Sequence, residues 1–317
     1  MPYAYVVCDT NVYLSLGGAV VNEMRALERS HSIAKVGSYW PAMELASHIV
    51  QEDTKGQRAR AAISKMWRHT VFYDGSRYIV PILADQEEQL SWSYFHTRLE
   101  GRDNATNAFG YSLGALGEDT TAPISEYVSS WLEEIRRHVE EKENQFARDM
   151  KSFEEDFFPG PGTRTPARRQ AIQDRLSSHE FLQGMAEARI RATARDAGHQ
   201  LDATETREYA ADLLTRMPVP FHFYRALLTG LVQSGTDFRL SKHANSLWDM
   251  QICYMISPVA CMGGIPLLVL TDEQKILNAS SAAGCEAHVK STQEYLAALR
   301  DGSIVDLLEQ LAAAKEC

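Results

Sequence analysis

The chain has 317 residues, of which 44% are hydrophobic and 23% are charged, and its formal net charge is −10. This composition is typical of a folded globular protein with one large or two smaller domains, and it excludes a disordered chain. The acidic balance argues against a protein that coats nucleic acid, because such proteins present a basic face. It does not exclude an enzyme that acts on nucleic acid, since clustered acids that bind metal make a site negative.

The N-terminus and the cysteines indicate a cytoplasmic protein. Residues 3–21 are apolar but lack a basic leader, and Asp9 and Asn11 interrupt them, so they predict a buried strand and a helix instead of a signal peptide. No run approaches the ~20 apolar residues of a membrane span, and no membrane partner is expected. The five cysteines contain no C-x-x-C pair, so neither a disulfide framework nor a zinc site is indicated, and a reducing compartment fits best.

Strands and helices alternate at both ends of the chain. Residues 3–8 (YAYVVC) form an apolar run that stops at Asp9, as is typical of a strand buried on both faces of a parallel sheet. Further strands are predicted at 33–39, 78–83, 265–270 and 286–290. Helices are predicted between them, at 12–30, 41–51, 57–70, 243–257, 273–283 and 292–314, and after Asp85. This alternation predicts an α/β fold with a parallel sheet.

The middle of the chain predicts only loops and helices. A loop rich in Gly, Asn and Thr is expected at 101–121. The apolar residues from Ile124 to Phe157 recur at steps of three, four or seven, which predicts one amphipathic helix of roughly nine turns. Further helices are expected at 166–197, 203–216 and 221–233. We therefore divide the chain into an α/β domain, residues 1–102 and 237–317, and a helical insertion, residues 103–236.

Four acids stand at positions where carboxylates need an explanation. Asp9 and Asp272 each follow a predicted strand, and ligands of open parallel sheets bind at the carboxyl ends of the strands. An aspartate there can equally cap the next helix. Glu44 and Asp249 lie within apolar helical faces, where a carboxylate must be exposed, paired with a base or gathered on a metal because its burial is costly.

The order strand-Asp, helix-Glu, helix-Asp, strand-Asp resembles that of the PIN-domain nuclease family. The matching stretches are VVCDTNVYLSL, PAMELASHI, NSLWDMQICYMIS and LLVLTDEQKIL, and YIVPILADQEEQL is also similar to that family. These stretches lie in the two α/β parts and skip the insertion. The resemblance therefore implies a three-layer αβα PIN-like domain with a central parallel sheet, which the helical insertion interrupts.

The resemblance also implies a metal-dependent nuclease. The acidic quartet that would bind Mg²⁺ or Mn²⁺ and act in catalysis is Asp9, Glu44, Asp249 and Asp272. Thr10 or Asn11 would support the first acid and Thr271 the last, and Glu273 would join a second metal. The chemistry suits these residue types, because hard divalent cations prefer oxygen ligands and lower the pKa of a bound water.

RNA is the expected substrate, because many compact members of that family cleave RNA as toxins or RNA-processing enzymes. The insertion suggests a standalone or complex-bound role, such as defence against phage. Residues 163–196 hold seven arginines against four acids, which predicts a basic helix that grips a nucleic-acid backbone. The candidate contacts are Arg164, Arg168, Arg169 and Arg175. Alternatively, these arginines pair with the acidic helix across 126–156.

Three other functions stay open. A structure-specific DNA nuclease would use the same scaffold. A phosphatase of the haloacid-dehalogenase type also places an aspartate after its first strand, but Asn11 replaces the second aspartate of its motif. A non-enzymatic scaffold would bind a protein partner through the apolar stripe of the insertion. The sequence also leaves open whether the protein forms a homodimer.

Overall fold

The structure is a computed structural model. It describes residues 3–49, 53–73, 78–79, 82–83, 86–97, 113–157, 165–234, 245–257, 259, 261–262 and 264–313. Within these ranges, no helix is both long enough and apolar enough to cross a membrane.

A parallel sheet forms the centre of the α/β part, so the predicted α/β class is confirmed. The strands are β1 (Ala4–Cys8), β2 (Ile33–Ser38), β3 (Phe72–Tyr73), β4 (Tyr78–Ile79), β5 (Ile82–Leu83), β6 (Cys261–Met262), β7 (Ile265–Leu270) and β8 (Val289–Lys290). Strands β5, β2, β1 and β7 are parallel neighbours in that order. At the outer edge of β7, β6 pairs antiparallel with its start and β8 parallel with its end, while β3 and β4 form a separate antiparallel pair.

Strand β1 is central and buried on both faces, as its unbroken apolar sequence predicts. Its residues alternate between two hydrophobic clusters: Val6 and Cys8 belong to one, and Val7 belongs to the other. Cys8 lies opposite Leu270 of β7, and the next residue, Asp9, donates its backbone N–H to the Leu270 carbonyl at 2.9 Å. The carboxyl ends of β1 and β7 therefore meet at one edge of the sheet.

Helices make up most of the remaining described chain. In the α/β part they are α1 (Thr10–Ser15), α2 (Gly18–Ser30), α3 (Tyr39–Ile49), α4 (Thr54–Thr70) and α5 (Gln86–Phe95) before the insertion. The insertion holds α6 (Glu126–Phe157), α7 (Pro166–Ser177), α8 (His179–Asp196), α9 (Ala203–Arg216) and α10 (Val219–Ser234). The last helices are α11 (Asn245–Cys253), α12 (Gln274–Ala282), α13 (Thr292–Asp301) and α14 (Ile304–Ala313).

The long helix predicted from the apolar spacing is confirmed as α6, but two other predictions were wrong in detail. The helix predicted across 166–197 is interrupted at Ser178, whose extended backbone ends α7 and whose hydroxyl accepts the Phe181 N–H at 3.2 Å to cap α8. Residues 113–118, expected in a loop, are helical. Pro81 and Asp85, which bear on the predicted third strand and the following helix, lie outside the described residues.

The insertion shares its hydrophobic core with the α/β part. One cluster contains Trp40 of α3, Leu132 of α6, Phe181 of α8 and Leu268 of β7. The contact of α6 is direct, because the rings of His138 and Trp40 stack at 6.5 Å between centroids. Each of the five insertion helices contributes residues to this cluster, so within the described residues the insertion packs its apolar faces against the sheet domain.

A buried polar network links four helices beneath the carboxyl end of β1. Glu28 of α2 is fully buried, and its carboxylate lies 2.8 Å from Nε2 of His69 in α4. The same carboxylate accepts the Tyr295 hydroxyl of α13 at 3.1 Å and lies 3.9 Å from Nζ of Lys35. The Tyr13 hydroxyl of α1 lies 2.9 Å from Nδ1 of His69. Because buried polar groups must be paired, this network holds α1, α2, α4 and α13 in register.

The network predicts that Glu28→Ala lowers the free energy of unfolding by at least about 3 kcal/mol, because the buried His69 and Tyr295 lose their hydrogen-bond partner and Lys35 loses its ion pair. Chemical denaturation followed by circular dichroism measures the change. Glu23→Ala is the matched control: Glu23 lies on the same helix and pairs with Arg300 at 2.8 Å, but both side chains are exposed. Because solvent screens an exposed pair, Glu23→Ala should cost much less stability than Glu28→Ala. Equal losses in the two variants would contradict a structural role for the network.

Candidate functional site

A pocket of about 590 Å³ opens at the edge of the sheet where β1 and β7 end. Four carboxylates from well separated parts of the chain line it: Asp9, Glu44, Asp249 and Glu273. Three of these belong to the predicted quartet, and the fourth replaces Asp272. The pocket is also lined by Thr10 and Asn11, two of the predicted supporting residues.

Asp9 follows β1 and is only 4% exposed. One carboxylate oxygen accepts the Thr10 N–H at 2.6 Å, at the N-cap of α1, and the other accepts the Thr271 hydroxyl at 2.8 Å. Asp9 is therefore both a helix cap and a pocket residue. Thr271 supports this first acid across the two strand ends, and not the last acid as the resemblance implied.

Glu44 reaches the pocket from α3. This helix starts directly after β2 and buries most of its length, so Glu44 is only partly exposed. Its carboxylate accepts the Thr10 hydroxyl at 2.8 Å. Thr10 thus connects two of the acids, since its backbone N–H binds Asp9 and its side chain binds Glu44.

Asp249 projects from α11 and is partly buried. Within the described part of the chain its carboxylate forms neither a hydrogen bond nor an ion pair, which sets it apart from the other three pocket acids. The residue before it, Trp248, donates its ring N–H to Glu143 of α6 at 2.9 Å. The insertion therefore helps to hold the helix that presents Asp249.

Asp272 does not line the pocket. Its two carboxylate oxygens accept the backbone N–H and the hydroxyl of Thr292 at 2.9 and 2.8 Å, at the start of α13. Glu273 lines the pocket instead and accepts the Asn11 side-chain amide at 2.9 Å. Residues that continue a strand point alternately to opposite sides, so Thr271, which bonds Asp9, and Glu273, which lines the pocket, lie on one side and Asp272 lies on the other. This alternation was the available signal in the sequence.

Burial raises the pKa of three pocket acids. The pKa of Asp9 rises to about 6, with Glu273 and Asp272 adding repulsion, while hydrogen bonds from Thr271 and Thr10 act in the opposite direction. Burial raises the pKa of Glu44 to about 7, against the hydrogen bond from Thr10. Burial raises that of Asp249 to about 8, and repulsion from Asp9, Glu273 and Glu44 adds to it. The ionised forms of these acids are therefore disfavoured, chiefly by burial and further by the repulsion among them.

The pocket side chains are of the types that bind a hard divalent cation. Their present positions, however, do not surround a single metal ion. Among the described residues, no group of three or more Asp, Glu, His or Cys side chains is positioned to hold a metal ion. Three of the pocket carboxylates are bound by hydroxyl or amide groups of Thr10, Asn11 and Thr271 instead. Oxygen donors, excess negative charge and the unpartnered Asp249 are the features that Mg²⁺ or Mn²⁺ prefers.

The predicted nucleic-acid contacts lie elsewhere. Arg168, Arg169 and Arg175 are on α7 and do not line the pocket, and Arg164 lies outside the described residues. The cations among the described residues that line it are Lys55 and Arg58 of α4 and Lys275 of α12, and His48 of α3 adds an imidazole whose pKa is lowered by burial. The sequence immediately around each of these residues is typical of the surface of a helix and gives no sign of a binding site. The basic character of the helix predicted at 57–70 was a signal for Arg58 but not for the other three.

Comparison with known proteins found no matching protein-family model, no matching curated protein and no matching solved structure. The function of the pocket is therefore inferred from its own residues.

The raised pKa values predict that metal-free protein loses stability as the pH rises. Each acid binds its proton more tightly when folded than when unfolded, so its contribution is complete below about pH 4. This contribution is lost as the pH passes about 6 for Asp9, about 7 for Glu44 and about 8 for Asp249. Thermal melts in EDTA from pH 5 to pH 8.5 measure the decline, and Asp249→Asn should flatten its upper part. A decline of unchanged steepness in that variant would contradict this account.

Proposed function

We propose that the protein is a PIN-like nuclease that uses Mg²⁺ or Mn²⁺ to hydrolyse phosphodiester bonds in RNA. The observation that supports this most directly is the pocket itself. Asp9, Glu44, Asp249 and Glu273 come from four separate elements and line one cavity at the carboxyl edge of a parallel sheet. Within the described residues, none of the four forms an ion pair with a lysine or arginine. Such a gathering of buried carboxylates is costly unless a cation relieves it.

The arrangement around the sheet supports a three-layer PIN-like domain. Successive residues of β7 enter different hydrophobic clusters: Leu268 and Leu270 belong to one, and Leu267 and Val269 to the other. Both faces of the sheet are therefore covered, as in αβα folds. The order of the pocket acids along the chain also agrees with the PIN-domain resemblance, once Glu273 takes the place of Asp272.

The four carboxylates would hold the metal, which supplies a Lewis acid and lowers the pKa of a water nucleophile. Thr10, Asn11 and Thr271 orient three of the acids through the hydrogen bonds described above. Asp249 has no such bond within the described residues, so its carboxylate is free to turn toward a ligand or to take a proton from an attacking water. Neutralising the charge around it lowers its pKa and makes the ionised form available near pH 7.

Asp249→Asn tests the proposal, and we expect it to separate stability from activity. The substitution removes a carboxylate whose pKa is raised to about 8, so the free energy of unfolding at pH 8 should stay the same or increase. Mn²⁺-dependent cleavage of a labelled single-stranded RNA should fall at least about a hundredfold, since even residues behind metal ligands typically change activity 10–100-fold. Parallel assays on single-stranded and flap DNA distinguish the DNA nuclease. Full cleavage by the variant would reject the proposed role.

Glu273→Gln and Asp272→Asn form a matched pair of neighbouring substitutions that test which acid binds metal. We expect Glu273→Gln to weaken Mn²⁺ binding about tenfold or more, because it removes a charged oxygen ligand from the pocket. Asp272→Asn should change Mn²⁺ affinity by less than about threefold, since Asp272 is engaged by Thr292 and acts only through its charge. Titration calorimetry measures both. A larger loss of Mn²⁺ affinity in Asp272→Asn than in Glu273→Gln would show that Asp272, and not Glu273, belongs to the metal-binding quartet.

A further inference from the structure

The acidic pocket has a rim of basic side chains. Lys55 and Arg58 line it from α4, and Lys275 lines it from α12. All three are exposed. Positive charge beside buried carboxylates normally serves to neutralise them through ion pairs. Within the described residues, these three cations form no ion pair with the pocket acids. Neutralising those acids through ion pairs is therefore not their role.

Other basic residues of the same helix have structural partners. Arg60 donates to the backbone carbonyls of Asp119 and Ala122 at 3.0 and 2.6 Å, and Lys65 donates to the Leu16 carbonyl at 2.8 Å. The side chains of Lys55, Arg58 and Lys275 make no hydrogen bond in the part of the chain that the structure describes. Their charges are therefore available to a ligand.

The basic side chains lie on two sides of the pocket. Lys55 acts electrostatically on Glu44, and Lys275 acts on Asp249. Arg58 is three residues after Lys55, on the same face of α4. An anionic chain that crosses the opening from α4 to α12 would meet positive charge before and after the carboxylates.

We propose that Lys55, Arg58 and Lys275 form a backbone clamp that holds the phosphates of a single-stranded polynucleotide on either side of the one that enters the acidic pocket. This inference rests on the proposed nuclease function and names the form of its substrate. The lining residues support recognition of the backbone over that of the bases. The described residues that line the pocket include no Phe, Tyr or Trp, and His48 of α3 is the one ring among them on which a base could stack.

The size of the pocket favours a single strand. A volume of about 590 Å³ falls within the range of small-ligand sites, roughly 300–1,000 Å³. One unit of a flexible strand enters a cavity of that size, whereas a rigid duplex does not. Contacts to phosphates carry no sequence information, so the clamp binds single-stranded RNA and single-stranded DNA of one length with similar affinity.

The test compares Lys55→Gln/Arg58→Gln and Lys275→Gln with Arg68→Gln. Arg68 is an exposed arginine near the other end of α4, about 20 Å along the helix from Lys55. Binding of fluorescein-labelled 12-nucleotide RNA is measured by anisotropy in EDTA at pH 6.5, where no metal is present to support cleavage. Salt is varied from 50 to 300 mM, and the matched DNA strand and the RNA duplex are measured in parallel. Circular dichroism melts establish that each variant is folded.

We expect the double variant to bind about tenfold or more weakly and to reduce the slope of log K against log salt by about 1.4, since each phosphate contact on a single strand contributes roughly 0.7. Lys275→Gln should reduce the slope by about 0.7, and Arg68→Gln should leave it within error. Equal slopes in the double variant and the wild type would overturn the clamp, as would equal affinity for the duplex.

Cleavage in Mn²⁺ separates this inference from the proposed function. If binding of the RNA depends on the clamp residues but no cleavage occurs in Mn²⁺, the clamp is supported and the nuclease function is rejected. If the double variant and the wild type cleave the RNA with the same KM, the nuclease function is supported and the clamp is rejected.

Discussion

The burial of several carboxylates at one edge of the parallel sheet is the constraint on which the site depends. It follows from the pairing of β1 with β7, because the Asp9 N–H bonds to the Leu270 carbonyl and so brings two strand ends together. The hydroxyls of Thr10 and Thr271 then lower the cost of two negative charges, but not enough to offset burial, which still raises the pKa of Asp9 and Glu44. A pocket with carboxylates buried in this way favours protons at low pH and cations at high pH.

The helical insertion belongs to the architecture of the site. Helix α6 packs on α3 through the Trp40–His138 stack, and its Glu143 accepts a hydrogen bond from Trp248 on α11. It therefore contacts both helices that present acids from outside the strand ends. Glu143 also adds to the repulsion that raises the pKa of Glu44. An insertion packed in this way constrains the distance between Glu44 and Asp249. A separate module that only bound a partner would not affect that distance.

Sequence patterns predicted the α/β class, the central strands and three of the four pocket acids, because each depends on local features. An apolar run that stops at an acid, or an acid within an apolar helical face, is visible without knowledge of tertiary structure. The exchange of Asp272 for Glu273 depends on which way side chains point after β7 ends, and Thr292 decides it from 20 residues further along the chain. Lys55 and Arg58 were not recognised because an exposed cation on a helix has no distinctive pattern. The break at Ser178 likewise depends on a single capping residue within a continuous helical pattern.

The net charge of −10 is compatible with a polyanionic substrate, because charges act over a limited range in salt solution. At physiological ionic strength the Debye length is about 8 Å, so the acids on remote surfaces contribute little at the pocket. What a phosphate meets there is set by Lys55, Arg58 and Lys275 at the opening and by the carboxylates, with any cation they hold, inside it. The proposed clamp therefore depends on the charges at the opening of the pocket, and the net charge of the whole chain does not decide whether it binds a phosphate.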